Sequence, residues 1–166
     1  MTLLISLFSF SILTACSDKS DDDVDTSPVT EDSADDVVDG PTIWSGPNIT
    51  ITKESGADPT DPANQDAITD LVILTRGERG SLYNLVTESS AGGSSPEGTE
   101  WAKGTTDDLD TLEFKSLKPA AIKMKNVPGE DFVLHLIEDD IYIDVTFISW
   151  EDGGSGGGFS YERSTQ

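Results

Sequence analysis

The stretch FVLHLIEDDIYIDVTFISW, residues 132–150, decides the fold of this chain. Apolar side chains occupy alternate positions on both sides of Asp139 and Asp140, which is typical of two half-buried antiparallel strands joined by a turn. With the two aspartates as the turn, Leu136 pairs with Ile143, Leu134 with Val145, and Phe132 with Phe147. All six side chains point to one face, and a slip of one residue would turn Asp144 into it. A slightly longer loop with the same register is an alternative, because Asp-Asp lacks the glycine that a type I′ turn favours.

The opposite face of the predicted hairpin is mixed in character. It places His135 across from Asp144 and carries Tyr142, and Ile148 and Trp150 extend it. The same alternation assigns Ser149 to the core side. A sheet face with this much apolar area is either covered by another segment or used for binding.

Shorter alternating or branched runs surround the hairpin in sequence. They predict strands at residues 49–52, 71–75, 82–87, 112–115, 121–124 and 159–163. Several short strands separated by Gly- and Pro-containing turns favour an all-β fold, an antiparallel β-sandwich of residues 41–166. Jelly-roll and immunoglobulin-like topologies both stay open, and no stretch supports a helix longer than a turn or two. The glycine-rich residues 153–158 lack the Lys and helix of a phosphate loop, so we expect a flexible connection there.

Five segments of this domain carry a resemblance to a known domain. They are TKESGADP (52–59), DLVILTR (70–76), EWA (100–102), LHLIEDDIYIDV (134–145) and GGFSY (157–161). Together they resemble an uncharacterised all-β domain of secreted and surface proteins of environmental bacteria, over nearly all of residues 42–166. The resemblance implies an all-β fold and a secreted or surface location. It implies no chemistry, because that family has no established activity.

Acidic residues dominate the chain, which has a formal net charge of −22. Residues 17–40 hold ten acids, one base and no aromatic residue, so we expect a disordered tether that its own charges extend. Residues 41–166 hold 22 acids and nine bases, a net charge of −13. Because phosphate binding needs clustered Lys and Arg, this balance argues against nucleic acid as a partner.

The extreme N-terminus resembles a bacterial lipoprotein signal peptide. The apolar run from Leu3 to Ile12 is too short to span a bilayer, and LTAC follows it at residues 13–16. No Lys or Arg precedes the run, which departs from the usual positively charged start. The resemblance implies that residues 1–15 are removed and that Cys16, the single cysteine, is lipidated, leaving residues 16–40 as anchor and tether. Because Ser17 follows the cysteine, it also implies sorting to an outer membrane.

One acid–base pairing emerges from the predicted register. Asp144 across from His135 could hold the imidazole as a general base for an envelope hydrolase. Such a base would need a nucleophile or metal nearby, and the alternation places Ser149 on the core side, away from His135. The alternative is a cross-strand polar pair that only stabilises the sheet.

The loop at residues 58–66 is rich in the hard oxygen ligands that calcium prefers. The candidate ligands are Asp58, Asp61, Asn64 and Asp66. Their spacing matches no EF-hand. The alternative is a solvated loop in which the same side chains cap turns.

Aromatic side chains suggest a platform for sugar rings. Trp101, Tyr142 and Trp150 are the candidates, with His135 and Asp144 beside them on the predicted outer face. Aromatic rings stack on the C–H faces of sugars, while polar neighbours bind the hydroxyls. The alternative is that the two tryptophans close the ends of the sandwich.

These observations favour a membrane-anchored envelope lipoprotein whose β-sandwich acts as a binding or adhesion module for a glycan or a surface protein. An envelope hydrolase and a structural lipoprotein without a small ligand are the alternatives.

Overall fold

A computed structural model describes residues 40–166 of the chain. The fold is mostly β, with a six-stranded sheet, a three-stranded sheet and few helical turns, so the predicted all-β class is confirmed. The predicted signal peptide, Cys16 and nearly all of the predicted tether lie outside the described residues. Within residues 40–166 the strands are β1 (Thr42–Trp44), β2 (Gly46–Lys53), β3 (Asp66–Ala67), β4 (Ile73–Thr75), β5 (Tyr83–Asn84), β6 (Thr99–Lys103), β7 (Asp131–Leu136), β8 (Ile141–Trp150) and β9 (Phe159–Thr165).

The larger sheet is built on a meander. Its order is β2-β9-β8-β7-β6 with antiparallel neighbours, and β1 pairs in parallel with the first residues of β8. The smaller sheet has the order β3-β4-β5 and is antiparallel. The strands predicted at residues 49–52 and 159–163 fall on β2 and β9. Those predicted at residues 71–75 and 82–87 are confirmed only over the shorter β4 and β5, and residues 85–87 form a turn.

The hairpin of β7 and β8 buries the face that its sequence predicts. Its six apolar side chains are each at most 1% exposed. The predicted register is wrong by two residues, because Leu134 pairs with Ile143 and Phe132 with Val145. Residues 137–140 form a four-residue connection, in which Asp140 adopts a left-handed conformation with φ of 49°. A shift of two preserves the faces of both strands, so the burial pattern alone does not exclude it.

A bulge interrupts the alternation near the end of β8. The pairing with β9 shifts between Phe147 and Ser149, so Ile148 and Ser149 are both exposed. Trp150 then turns back toward the core, where its ring centroid lies 5.8 Å from that of Phe147. The prediction that Trp150 lies on the outer face and Ser149 on the core side is therefore wrong, because a bulge inserts one extra residue into the strand.

The core lies between the two sheets. Its interior contains Leu74 and Leu82 from the region of the smaller sheet, and Phe147 and Tyr161 from the larger sheet. Asp66 on β3 reaches across and accepts hydrogen bonds from side chains of β9. Apolar burial of this kind supplies the main driving force for folding.

Part of the outer face is covered by the chain segment of residues 104–116. Thr106 in this segment donates both its backbone N–H and its hydroxyl to the Asp144 carboxylate, each at 2.8 Å. Farther along the segment, the Phe114 ring packs against outer-face aromatic side chains. The strand predicted at residues 112–115 is a single bridge between Lys115 and Trp101.

Short helical turns occupy the region after this segment. The strand predicted at residues 121–124 is wrong, because helix α1 (Leu117–Ala121) and a 3₁₀ turn (Met124–Asn126) take its place. Pro119 lies in the first turn of α1, where its missing N–H costs no intrahelical hydrogen bond. Within residues 40–166, no helix combines the length and the apolar character needed to cross a membrane.

Candidate functional site

The predicted His135–Asp144 pair does not form. His135 pairs with Tyr142 across the hairpin, and Asp144 pairs with Val133. The imidazole stacks on the Tyr142 ring with centroids 4.2 Å apart, and its Nε2 lies 3.2 Å from the Asp140 carboxylate. Because the Asp144 carboxylate already accepts two hydrogen bonds from Thr106, it does not orient the histidine. The predicted cross-strand pairing of His135 with Asp144, on which a catalytic dyad would depend, is therefore wrong.

The aromatic platform is also not assembled as predicted. Trp101 is fully buried in the core, and its indole N–H donates to the Thr99 hydroxyl at 3.0 Å. Tyr142 is half-buried between His135 and the edge of the Phe114 ring. Burial, followed by the charge of the nearby Asp140, raises the pKa of Tyr142. Trp150 alone of the three candidates lines an open cleft.

The candidate calcium ligands have other partners. The Asp58 carboxylate accepts from the backbone N–H and hydroxyl of Thr60, and these hydrogen bonds lower its pKa. Asp61 caps the 3₁₀ turn Pro62–Asn64, and the Asn64 amide donates to the Asp58 carbonyl. Asp66 is buried against Arg163. Within the described part of the chain, no three His, Cys, Asp or Glu side chains form a group able to hold a metal.

An open cleft of about 350 Å³ lies beside Trp150, and we take it as the candidate site. Its walls combine apolar and basic side chains. The lining residues include Trp150, Met124, Ile122, Lys118, Lys125 and Asp152. Predominantly apolar concavities with a few convergent polar groups are the usual form of ligand sites.

The Arg76 guanidinium packs against one face of the Trp150 ring. The guanidinium carbon lies 3.8 Å from the ring centroid, a cation–π contact, and the side chain is almost completely buried. The guanidinium donates to the carbonyls of Gly80, Glu151 and Gly158 at 2.8–3.1 Å. Burial lowers the pKa of Arg76 to about 10 against the opposing effect of Glu151. Arg76 therefore fixes the ring, while its Nε, Nη1 and Nη2 atoms each donate to a backbone carbonyl.

The glycine-rich stretch at residues 153–158 is tied to the domain. The Gly156 carbonyl accepts from the Gly56 backbone N–H at 2.9 Å, and the Gly158 carbonyl accepts from Arg76. The buried Lys53 ammonium lies 3.4 Å from the Gly156 carbonyl. These contacts anchor the stretch that was expected to be a flexible connection, and Gly153 at its start lines the cleft.

Ile122 forms a ridge at the mouth of the cleft. Its side chain is 83% exposed, and its backbone has φ of 60°, which a β-branched residue rarely adopts. A second depression of about 280 Å³ lies on the other side and shares this residue. Lys103, Glu113 and Lys115 line the second depression, together with Pro119 and Ala120 of α1.

Basic side chains are concentrated in this region of the chain. Within residues 40–166, no carboxylate lies within 4.0 Å of the ammonium groups of Lys118, Lys123 or Lys125. Lys118 donates to the Gly92 carbonyl at 3.2 Å. The sequence carries a signal for this surface that the predicted sites did not use: residues 114–128 contain four lysines and no acidic residue.

The chain matches no protein family model, no curated protein and no solved structure. The resemblances to a lipoprotein leader and to a surface-protein domain therefore stay predictions.

Proposed function

We propose that this chain is a lipid-anchored envelope protein whose β-domain binds a glycan in the Trp150 cleft. The observation that carries the proposal is the Trp150 ring, which lines an open cleft and is fixed in place by the buried Arg76. A fixed aromatic ring can stack on the C–H face of a sugar at little cost in side-chain entropy. Met124 and Ile122 add apolar contact area on the same walls.

Binding accounts for this site better than catalysis does. The acid–base pair on which a hydrolase would depend is separated, since His135 stacks on Tyr142 and Asp144 binds Thr106. The outer face that an external structural partner would cover is partly covered by residues 104–116 of the same chain. The cleft beside Trp150 is a concave site with an aromatic wall, which is a usual form of ligand site.

The proposed anchor rests on the LTAC sequence at residues 13–16 and on the acidic residues that follow it. Lipidation of Cys16 with more than one acyl chain gives stable attachment to a membrane. The segment of residues 17–40 would then hold the domain away from the lipid surface, and Ser17 favours an outer-membrane location.

A glycan array tests the binding proposal. The full chain carrying Cys16→Ser, which removes the acylation site, is applied beside the same chain with Trp150→Leu. We expect selective retention of some glycans by the first protein and its loss in the second. Trp44→Leu, at another partly buried tryptophan, serves as the matched control and should bind normally. Thermal unfolding of each variant checks that the domain is folded, and unchanged binding by Trp150→Leu would refute the proposed site.

Membrane fractionation tests the anchor separately. We expect the natural chain to partition with membranes and the Cys16→Ser chain to remain soluble. Membrane association that is the same for both proteins would contradict lipidation at Cys16.

A further inference from the structure

The charge around the cleft is opposite in sign to that of the domain as a whole. Residues 41–166 carry a net charge of −13, yet Lys118 and Lys125 line the cleft with Asp152 as their one acidic neighbour among the described lining residues. At physiological ionic strength, charges farther apart than about 8 Å are largely screened from each other. A ligand in the cleft therefore experiences mainly the local lysines.

The second depression, which shares Ile122 with the cleft, has basic lining residues and one acidic lining residue, Glu113. The second depression adds Lys103 and Lys115, which lie 2.5 Å and 2.9 Å from the carboxylates of Glu130 and Glu113. These ion pairs are exposed, so each is worth little and a ligand anion can compete for the lysine. Four lysines thus flank one exposed apolar residue along two adjoining depressions.

We infer that the ligand is an acidic polysaccharide, a chain of sugars bearing carboxylate or sulfate groups that lies across both depressions. This inference rests on the proposed function, because it places the sugar ring against Trp150. A small inorganic anion fits less well, because the four lysines line two separate depressions. When one anionic group of a polysaccharide is bound, its neighbours are held close to the other lysines at a high effective concentration. Several weak contacts along the same polysaccharide can therefore give a much higher overall affinity than each contact alone.

Nucleic acid would offer negative charge as well, but a stiff duplex that runs past both depressions brings its phosphates close to the acidic remainder of the domain. A flexible polysaccharide places only a few anionic groups at the lysines and offers apolar C–H faces to Trp150 and Ile122. Duplex DNA therefore serves as the contrasting polyanion.

Titration calorimetry with matched probes tests the inference, using the full chain with Cys16→Ser. The probes are oligogalacturonate, its methyl ester with the same backbone and no charge, dextran sulfate, dextran and duplex DNA. We expect binding of either acidic polysaccharide, affinity at least about tenfold lower for its neutral counterpart, and weakening with added salt. Lys118→Gln with Lys125→Gln should lower the affinity by about tenfold, while Arg79→Gln, an exposed cation outside both depressions, should leave it unchanged.

Oligomer length tests the use of both depressions. Lys103→Gln with Lys115→Gln should weaken a long acidic oligomer and leave a disaccharide unaffected. Equal binding of charged and neutral probes, still lost in Trp150→Leu, would overturn the inference and leave the proposed function standing. Equal binding of DNA and polysaccharide that is insensitive to Trp150→Leu would overturn both.

Discussion

Asp66 and Arg163 form a buried bidentate ion pair that joins the two sheets of the domain. The Arg163 Nε and Nη2 atoms donate to the two Asp66 oxygens at 2.7 Å and 2.8 Å, and both side chains are at most 5% exposed. The Tyr161 hydroxyl donates to the same carboxylate at 2.6 Å. The hydrogen bonds and charge of Asp66 outweigh the effect of burial and raise the pKa of Arg163. One acidic residue of β3 thus satisfies two polar side chains of β9.

Removing one charge of this pair should destabilise the domain strongly. Asp66→Asn keeps the shape of the side chain but leaves the Arg163 guanidinium buried without a counter-charge. We expect the free energy of unfolding to fall by about 3–5 kcal/mol, measured by urea denaturation. Arg163→Met should have a similar cost, because it leaves the Asp66 carboxylate buried and unpaired.

The double variant separates this pair from general packing effects. When Asp66→Asn and Arg163→Met are combined, neither buried charge remains, so the loss should be clearly smaller than the sum of the two single losses. Strict additivity of the two changes would show that the ion pair does not couple the sheets.

Alkaline unfolding should depend on Tyr161. Burial, and then the Asp66 charge, raises the pKa of this hydroxyl well above its usual value of 10. In the unfolded chain the phenol ionises near pH 10, while the folded domain retains the proton. The stabilising effect is therefore complete below pH 10 and is lost as the pH rises toward the folded pKa, by at most about 1.4 kcal/mol per pH unit.

Tyr161→Phe isolates this contribution from other groups that titrate in the same range. Burial also raises the pKa of Tyr83, and burial lowers the pKa of Lys53, so the natural chain has mixed slopes. We expect urea unfolding between pH 9 and 11 to show a smaller alkaline loss of stability in Tyr161→Phe than in the natural chain. Parallel pH curves for the two proteins would contradict the assignment.

The burial face of the hairpin could be predicted from sequence because it depends only on alternation. Register, in contrast, depends on the loop. The connection spans residues 137–140 and contains Asp140 in a left-handed conformation. The alternation of apolar residues gives no information about the length of this connection. The sequence also gives no sign of the bulge at Ile148 and Ser149. Because of this bulge, Trp150 lies at the cleft beside the core and not on the outer face. The sequence identified the tryptophan as a candidate, and the bulge determines where it lies.

Side-chain partnerships across distant segments explain the other differences. Asp66 looked like a calcium ligand within its loop, but its partner Arg163 lies 97 residues away. Asp144 likewise was predicted to be the partner of His135, but its carboxylate accepts hydrogen bonds from Thr106, 38 residues away. The high lysine content of residues 114–128 is visible in the sequence. The placement of these lysines around Ile122 depends on the helix and the 3₁₀ turn, which the sequence did not predict.

The contact between Asp144 and Thr106 should hold the covering segment in place. Asp144→Ala leaves the Thr106 backbone N–H and hydroxyl without their acceptor in a part-buried site, so we expect a loss of about 1–3 kcal/mol in unfolding free energy. Asp131→Ala is the matched control, because that carboxylate accepts from the Thr146 hydroxyl at an exposed position. The control should cost about 1 kcal/mol or less. Equal losses in urea denaturation would mean that Thr106 does not depend on Asp144.

The anchored glycine stretch gives a last test, which links backbone geometry to the Trp150 cleft. Gly157 has φ of 70°, and a Cβ at this position would lie 1.9 Å from the Gly77 carbonyl oxygen. Gly157→Ala therefore combines backbone strain with a clash, and we expect a loss of about 2–5 kcal/mol. Gly153→Ala meets no atom within 4 Å at an ordinary φ and should stay within about 0.5 kcal/mol of the natural chain.

Tryptophan fluorescence distinguishes a local displacement from simple loss of stability. The neighbouring Gly158 carbonyl accepts from Arg76, and Arg76 supports the Trp150 ring, so displacing this stretch should loosen the ring. In the folded Gly157→Ala protein we expect a shifted emission that is absent from Gly157→Ala combined with Trp150→Leu, because Trp150 is then the reporter. An emission shift that persists without Trp150 would place the disturbance at another tryptophan and break the link between the glycine stretch and the cleft.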